Sequence, residues 1–169
     1  FLQHTAHRTY VALAWGRFTE PAGTVTTQLA RDPADRQRMK VFLDPEVGKS
    51  AVTHWRLLQD YTVFSWLECQ LETGRMHQIR VHMQYLKHPL FNDARYGGDK
   101  ILRGVETANY HALMQRLFAQ CPRQALHARA IDFLHPRTGE PLHLEAPLPA
   151  DMAGLLAMLE AGEVEEALG

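Results

Sequence analysis

Apolar and polar positions alternate through RTYVALAWG, with Tyr10, Ala12 and Ala14 on one face and Val11, Leu13 and Trp15 on the other. That two-residue period predicts a strand, closed by Gly16. TVTTQLA (Thr24 to Ala30) is β-branched and predicts a second strand. The polar run RDPADRQRMKVFLDPEVGKS predicts a long excursion, partly helical, with little core of its own. AVTHWRLLQDY and TVFSWLECQL predict a strand pair meeting near Asp60–Thr62, the second with Val63, Ser65, Leu67, Cys69 and Leu71 on one face. Met76, Ile79, Met83 and Leu86 then recur at a helical period that ends before Pro89. LFNDARYGG reads as a turn-rich loop and ANYHALMQRLFAQ as a second amphipathic helix. LHARAIDFLHP and PLHLEAP flank PRTG as a hairpin, and Asp151 to Glu160 form a last helix. Strands dominate and helices are inserted between them, so the expected class is α+β, a mixed, largely antiparallel sheet.

At 169 residues the chain is expected to form one domain, residues 1–169, and 46% hydrophobic content suffices for a core. No apolar run approaches the roughly 18 residues that span a bilayer. The segment FLQHTAHRTY lacks the order of a signal peptide. It has no starting Met, and the expectation is a portion of something longer. Cys69 and Cys121 form no CxxC pair, so reduced thiols and a cytoplasmic location are the plain expectation. A monomer is expected.

The net charge of −1 conceals an uneven distribution. Arg75 to Arg103 holds six basic and two acidic residues, whereas Glu140 to the end holds seven acidic residues and no Lys or Arg. A basic middle and an acidic helical tail over 150–169 are expected, the bland alternative being a solvated tail beside an ordinary surface.

The stretch LETGRMHQIRVH concentrates the hydrogen-bonding side chains. On a helix beginning near Met76, His77, Arg80, Gln84 and Lys87 fall on one side, away from the Met/Ile stripe. A basic face beside a buried one suits phosphate binding from a fixed scaffold. Thr73-Gly74-Arg75 lies between a strand end and a helix start, where a guanidinium and free N–H groups both favour an anion. Gly74 permits a turn that a β-carbon obstructs, and Arg75 offers a planar fork for a carboxylate or phosphate. The bland alternative is an arginine pinning a loop to a neighbouring carboxylate. The ten histidines raise the possibility of zinc, but His77 and His82 are five apart and no HExxH string occurs.

LETGRMHQIRVH followed by HPLFNDARYGG resembles the signature of the RluA-type pseudouridine synthases, roughly L-x-TGR-x-HQIR-x-H, then HP, then GD-x-x-YG. HRTYVALAWG is similar to the family's segment around an invariant tyrosine, and GKSAVTHWRLL to its GK-x-A-x-T strand. RQALHARAIDFLHPRTGEPLHLEAPLP is similar to its closing run. The likeness extends from about Thr5 to Asp151. Two local departures are Asn92, where the family has Gly, and Lys87-His88, where it has Gly-His.

The resemblance implies the C-terminal portion of a pseudouridine synthase fold, acting on structured RNA (ribosomal or transfer) and using no cofactor and no metal. It implies that Tyr10 lies against a flipped base and assists removal of its C5 proton, and that Arg75 pairs with a catalytic aspartate. Leu71 would belong to the pocket wall, with Thr73 and Gly74 in the adjoining turn. His77, Gln78 and Arg80 would stand in or near the RNA groove, His77 alternatively bracing the helix. Lys40, Lys49, Arg95 and Tyr96 are weaker candidates for RNA contact or loop structure.

Family members carry that aspartate in an HRLD-x-x-[TS]-SG segment upstream of the tyrosine strand. No such string occurs here, and none of the aspartates present is assigned the role. The chain is therefore expected to be an inactive fragment of a synthase, the alternative being a non-catalytic RNA-binding homologue.

Overall fold

The computed structural model describes residues 6–169. The start of the family-like run, Thr5, lies outside them. Seven strands form one sheet: β1 (His7–Trp15), β2 (Ala22–Asp32), β3 (Asp35–Phe42), β4 (Lys49–Asp60), β5 (Phe64–Leu71), β6 (Leu126–Leu134) and β7 (Pro141–Glu145). Their order is β3-β2-β4-β5-β1-β6-β7, and every pairing is antiparallel. Helices α1 (Gln78–Tyr85), α2 (Ala108–Gln120), α3 (Ala150–Glu160) and α4 (Glu163–Leu168) are inserted between or after the strands. This is the α+β arrangement that the patterning predicts.

Alternation along β1 divides the core. Leu13 and Trp15 enter one cluster with Phe64, Leu113, Leu117, Met152, Leu155 and Leu159. Ala12 and Ala14 enter the other with Leu67, Cys69, Ile79 and Met83 of β5 and α1, against which Tyr10 and Leu71 pack half-buried. Helices α2 to α4 thus cover one face of the sheet and α1 the other. Each fully buried Leu or Met contributes about 2 kcal/mol.

Two expectations are corrected. The polar run after β2 contains no helix: β2 and β3 form a hairpin in which Asp32 pairs with Asp35. Met39 and Val41 supply β3 with a narrow apolar face against Leu29, Ala51, Val81 and Tyr96. The charged residues of β3 suit an edge strand. Val63 lies in the turn before β5 and joins the α2-side core rather than the face of Leu67 and Cys69.

The acidic tail packs on the domain through one face and keeps most of its acids towards solvent. Its apolar positions Met152, Leu155, Leu159 and Val164 are buried. Asp151, Glu160, Glu163 and Glu165 have partners in Arg123, Tyr61, Arg116 and Thr62 respectively, whereas Glu166 is exposed. Both cysteines are free and buried. No helix among the described residues is long and apolar enough to cross a membrane.

Candidate active site

Tyr10 sits mid-sheet, paired with Cys69 of β5 and Ala128 of β6. The β1–β6 register shifts between Thr9 and Tyr10. A bulge of this kind increases local twist and re-aims a side chain. β5 ends at Leu71, and the chain then turns through Glu72–His77 into α1.

That turn is held from beneath by Gln78, which is buried. Its Oε1 accepts from Thr73 Oγ1 at 2.7 Å and from the Arg75 backbone N–H at 3.1 Å. Its Nε2 donates to Val52 O at 2.9 Å and Thr53 Oγ1 at 3.0 Å. Thr73 Oγ1 also accepts from Val52 N. Below Thr53 lies His82, fully buried, with Thr53 Oγ1 on Nδ1 and Thr27 Oγ1 on Nε2, both at 2.7 Å. Burial pushes the His82 imidazole down to about 4, so it is neutral at physiological pH. A chain of side chains therefore runs from the Arg75 backbone to β2, and the Gln78 amide is committed to the protein.

His77 caps α1 with φ 56°, in the left-handed region. This conformation breaks the helical stripe before Met76, which is 47% exposed rather than buried. Ile79 and Met83 keep their predicted place in the core. Gly74 is corrected too: its φ is not left-handed, and an added Cβ would meet only Arg8 Nη1, at 3.8 Å. The turn does not need a glycine, and what the missing side chain leaves open is the mouth of the cleft.

The basic helix face is likewise corrected. Arg80 donates from Nε and Nη2 to the two oxygens of Asp93, each at 2.8 Å, and Asp93 is fully buried. Its guanidinium lies 5.1 Å from the centre of the Tyr96 ring. Gln84 donates to Tyr96 O. Lys87 is exposed but faces a separate depression with Lys40 and Arg103. Tyr96 is buried, and so belongs to the structure of the loop. Lys49 lines neither of the two concavities described next.

A cleft of about 270 Å³ opens among Arg8, Tyr10, Leu71, Gly74, Arg75 and Leu126, with His77, Gln78 and Arg80 along its edge. No acidic residue lines it. Arg75 Nε donates to Ser50 O at 2.9 Å. Among the described residues Arg75 forms no ion pair, so the loop-pinning alternative finds no carboxylate. A larger groove of about 1260 Å³ adjoins the cleft and shares His77, Arg80 and Gln124 with it. Arg38, Arg95, Lys100 and Arg123 outnumber Asp35 and Asp99 along this groove. The arrangement can hold an anionic strand in the groove and present an arginine fork and a phenol to one residue of it. No three His, Cys, Asp or Glu side chains among the described residues converge on a possible metal position.

The antiparallel sheet with its inserted helices is similar to the fold of solved pseudouridylate synthase domains. Two human structures, RNA Pseudouridylate Synthase Domain Containing 1 and 4, superpose with TM-scores of 0.65 and 0.69. Each is 22% identical, and the alignments cover 94% and 92% of this chain and 67% and 62% of theirs. Residues 1–85 match the family described as RNA pseudouridylate synthase. The chain is 44% identical over 155 residues to the Bacillus subtilis protein named Uncharacterized RNA pseudouridine synthase YlyB. It is 42% identical over 153 residues to Ribosomal large subunit pseudouridine synthase D of Xylella fastidiosa. These alignments take in 92% and 90% of this chain but 45% and 44% of the relatives, so the chain spans less than half their length. The chain belongs to the RNA pseudouridylate synthase family, of the RluA type.

Several lining residues escaped sequence reasoning. Arg8 stands two residues before the tyrosine in HRTY, on the same face of the strand period, and that spacing is a usable signal. Gln124 and Leu126 reach the site from the start of β6 and the turn before it, and Arg38 from the β2–β3 hairpin. Gln124 and Leu126 fall in the family-like closing run, but no local period there or around Arg38 aims them at a site.

Proposed function

We propose that these residues form the Tyr10–Arg75 side of the active site of an RNA pseudouridine synthase. The carboxylate nucleophile, an aspartate in an HRLD-type segment, would come from outside these 169 residues. The observation that carries this reading is an arginine-lined cleft with a half-buried tyrosine and no acid of its own, opening onto a basic groove.

In this reading the RNA backbone lies in the groove and one uridine leaves its stack to enter the cleft. The bond between C1′ and N1 breaks with help from the aspartate. The uracil rotates, a bond forms between C1′ and C5, the C5 proton leaves and N1 takes up a proton. The change is an isomerisation that needs no net oxidant or reductant. Arg75 holds the aspartate ionised and aimed, because a paired carboxylate has a lowered pKa. Tyr10 lies against the ring and assists proton removal at C5. The substrate is structured RNA, and the relatives' names favour ribosomal RNA.

Tritium release from RNA labelled at uridine C5 tests this directly. A protein carrying these residues together with an HRLD-type segment releases tritium, whereas the 169 residues alone do not. A chain that binds RNA but stays inert even with that segment present is a binding protein, and the enzyme reading fails.

A further inference from the structure

Tyr96 is 1% exposed, so its hydroxyl must find partners inside the protein. Its oxygen accepts the Met39 backbone N–H of β3 at 2.8 Å. The other partner among the described residues is His77 Nδ1, at 2.7 Å. If Nδ1 carried a proton it would donate to that same oxygen, and the phenolic proton would be buried without an acceptor. All three groups are satisfied only when the phenol donates to a bare Nδ1, which places the imidazole proton on Nε2.

Three elements fix Tyr96: β3 through Met39 at the phenol oxygen, α1 through Arg80 over the ring, and the loop through Asp93, whose Oδ1 accepts from the Tyr96 backbone N–H at 3.3 Å. The two rings meet edge to face at 5.5 Å. His77 lines both the cleft and the groove, and among the described residues no protein group takes its Nε2. Its left-handed backbone holds the ring at this junction.

We propose that Tyr96 is a positioning residue that locks His77 in its Nε2–H form, and that this N–H binds a phosphate oxygen of the RNA strand where it passes from the basic groove into the cleft. The inference rests on the reading of the groove as an RNA site. A donor suits that position better than a cation, because Arg8, Arg75 and Arg80 already surround it. Burial and the Arg80 guanidinium hold the His77 pKa below its usual value, with Arg95 and Arg31 acting the same way and Asp93 opposing them.

Nitrogen-15 spectra of histidine-labelled protein, recorded from slightly acid to slightly alkaline pH, read the tautomer without RNA. The expected result is an unprotonated Nδ1 and a protonated Nε2 for His77, with the populations mixing in Tyr96→Phe. A protonated Nδ1 in the wild type overturns the proposal. In active protein, His77→Ala raises KM for RNA about tenfold and Tyr96→Phe about twofold, as an even mixture of tautomers requires, with each loss falling in KM rather than kcat. The double variant is no worse than His77→Ala alone, because Tyr96 acts on RNA only through His77, and His77→Gln recovers most of the affinity. Additive losses, or a wild-type KM in His77→Ala, sink the inference. A wild-type protein that neither binds nor turns over RNA sinks the functional reading instead, and the spectra still decide the tautomer.

Discussion

Arg80 and Asp93 form a two-pronged ion pair, with both bonds at 2.8 Å, between the middle of α1 and the turn that precedes Tyr96. Asp93 is fully buried, and its Oδ1 also accepts from Tyr96 N. Removing one partner of such a pair strands the other charge in the interior. Asp93→Ala should lower stability by about 3 kcal/mol in chemical denaturation. Arg80→Met combined with Asp93→Ala should cost less than the sum of the single changes, since no uncompensated charge remains. Additive losses would mean that the pair does not act as a unit.

His82 makes stability depend on pH in a definite direction. An unfolded histidine takes up a proton as pH falls through 6.5, whereas buried His82 stays neutral until about pH 4. Between those values the unfolded state binds more protons, so stability falls as pH falls through that window, by about 3 kcal/mol in total. Burial lowers His77 and His88 as well, and they act with the same sign. The check is therefore a comparison: His82→Gln should flatten the slope of unfolding free energy between pH 6.5 and 4 relative to wild type.

Arg75→Lys, in active protein, should reduce turnover by about 100-fold or more, because an ammonium cannot reproduce the guanidinium fork. Tyr10→Phe keeps the packing against Leu67 and Cys69 but removes the hydroxyl, and should lower kcat by about 100-fold with little change in melting temperature. Near-normal rates in either variant would take that residue out of the chemistry.

The groove should make RNA affinity steeply salt-dependent, because each phosphate contact releases counterions. Lys100 is exposed at its rim. Lys100→Ala should lower the slope of log K against log salt by about 1 without changing which uridine is chosen. A flat response to salt in the wild type would remove the groove as a nucleic-acid surface.

Much of the fold was legible because its period was local. The alternation in β1 and β5 and the stripe of α2 each lie within one element, and their limits agree with the pattern to within a residue or two. The left-handed backbone of Asn92, φ 59°, and of Lys87, φ 72°, preserves turns where the resemblance has glycine. β3 was not legible, because an edge strand with one narrow apolar face reads as polar loop.

By itself the sequence determined which residue types could do the chemistry and which segments could be strands or helices. LETGRMHQIRVH placed a guanidinium after a strand, and HRTY placed a phenol within another. Tertiary structure alone decided which of those groups remain available. It spent Arg80 on Asp93 and Gln78 on the turn beneath Arg75, while setting Tyr10, Arg75 and His77 around one opening. The physical reason is that burial forces polar groups to find partners, and those partners, Asp93, Thr53 and Tyr96, are brought near only by packing between elements.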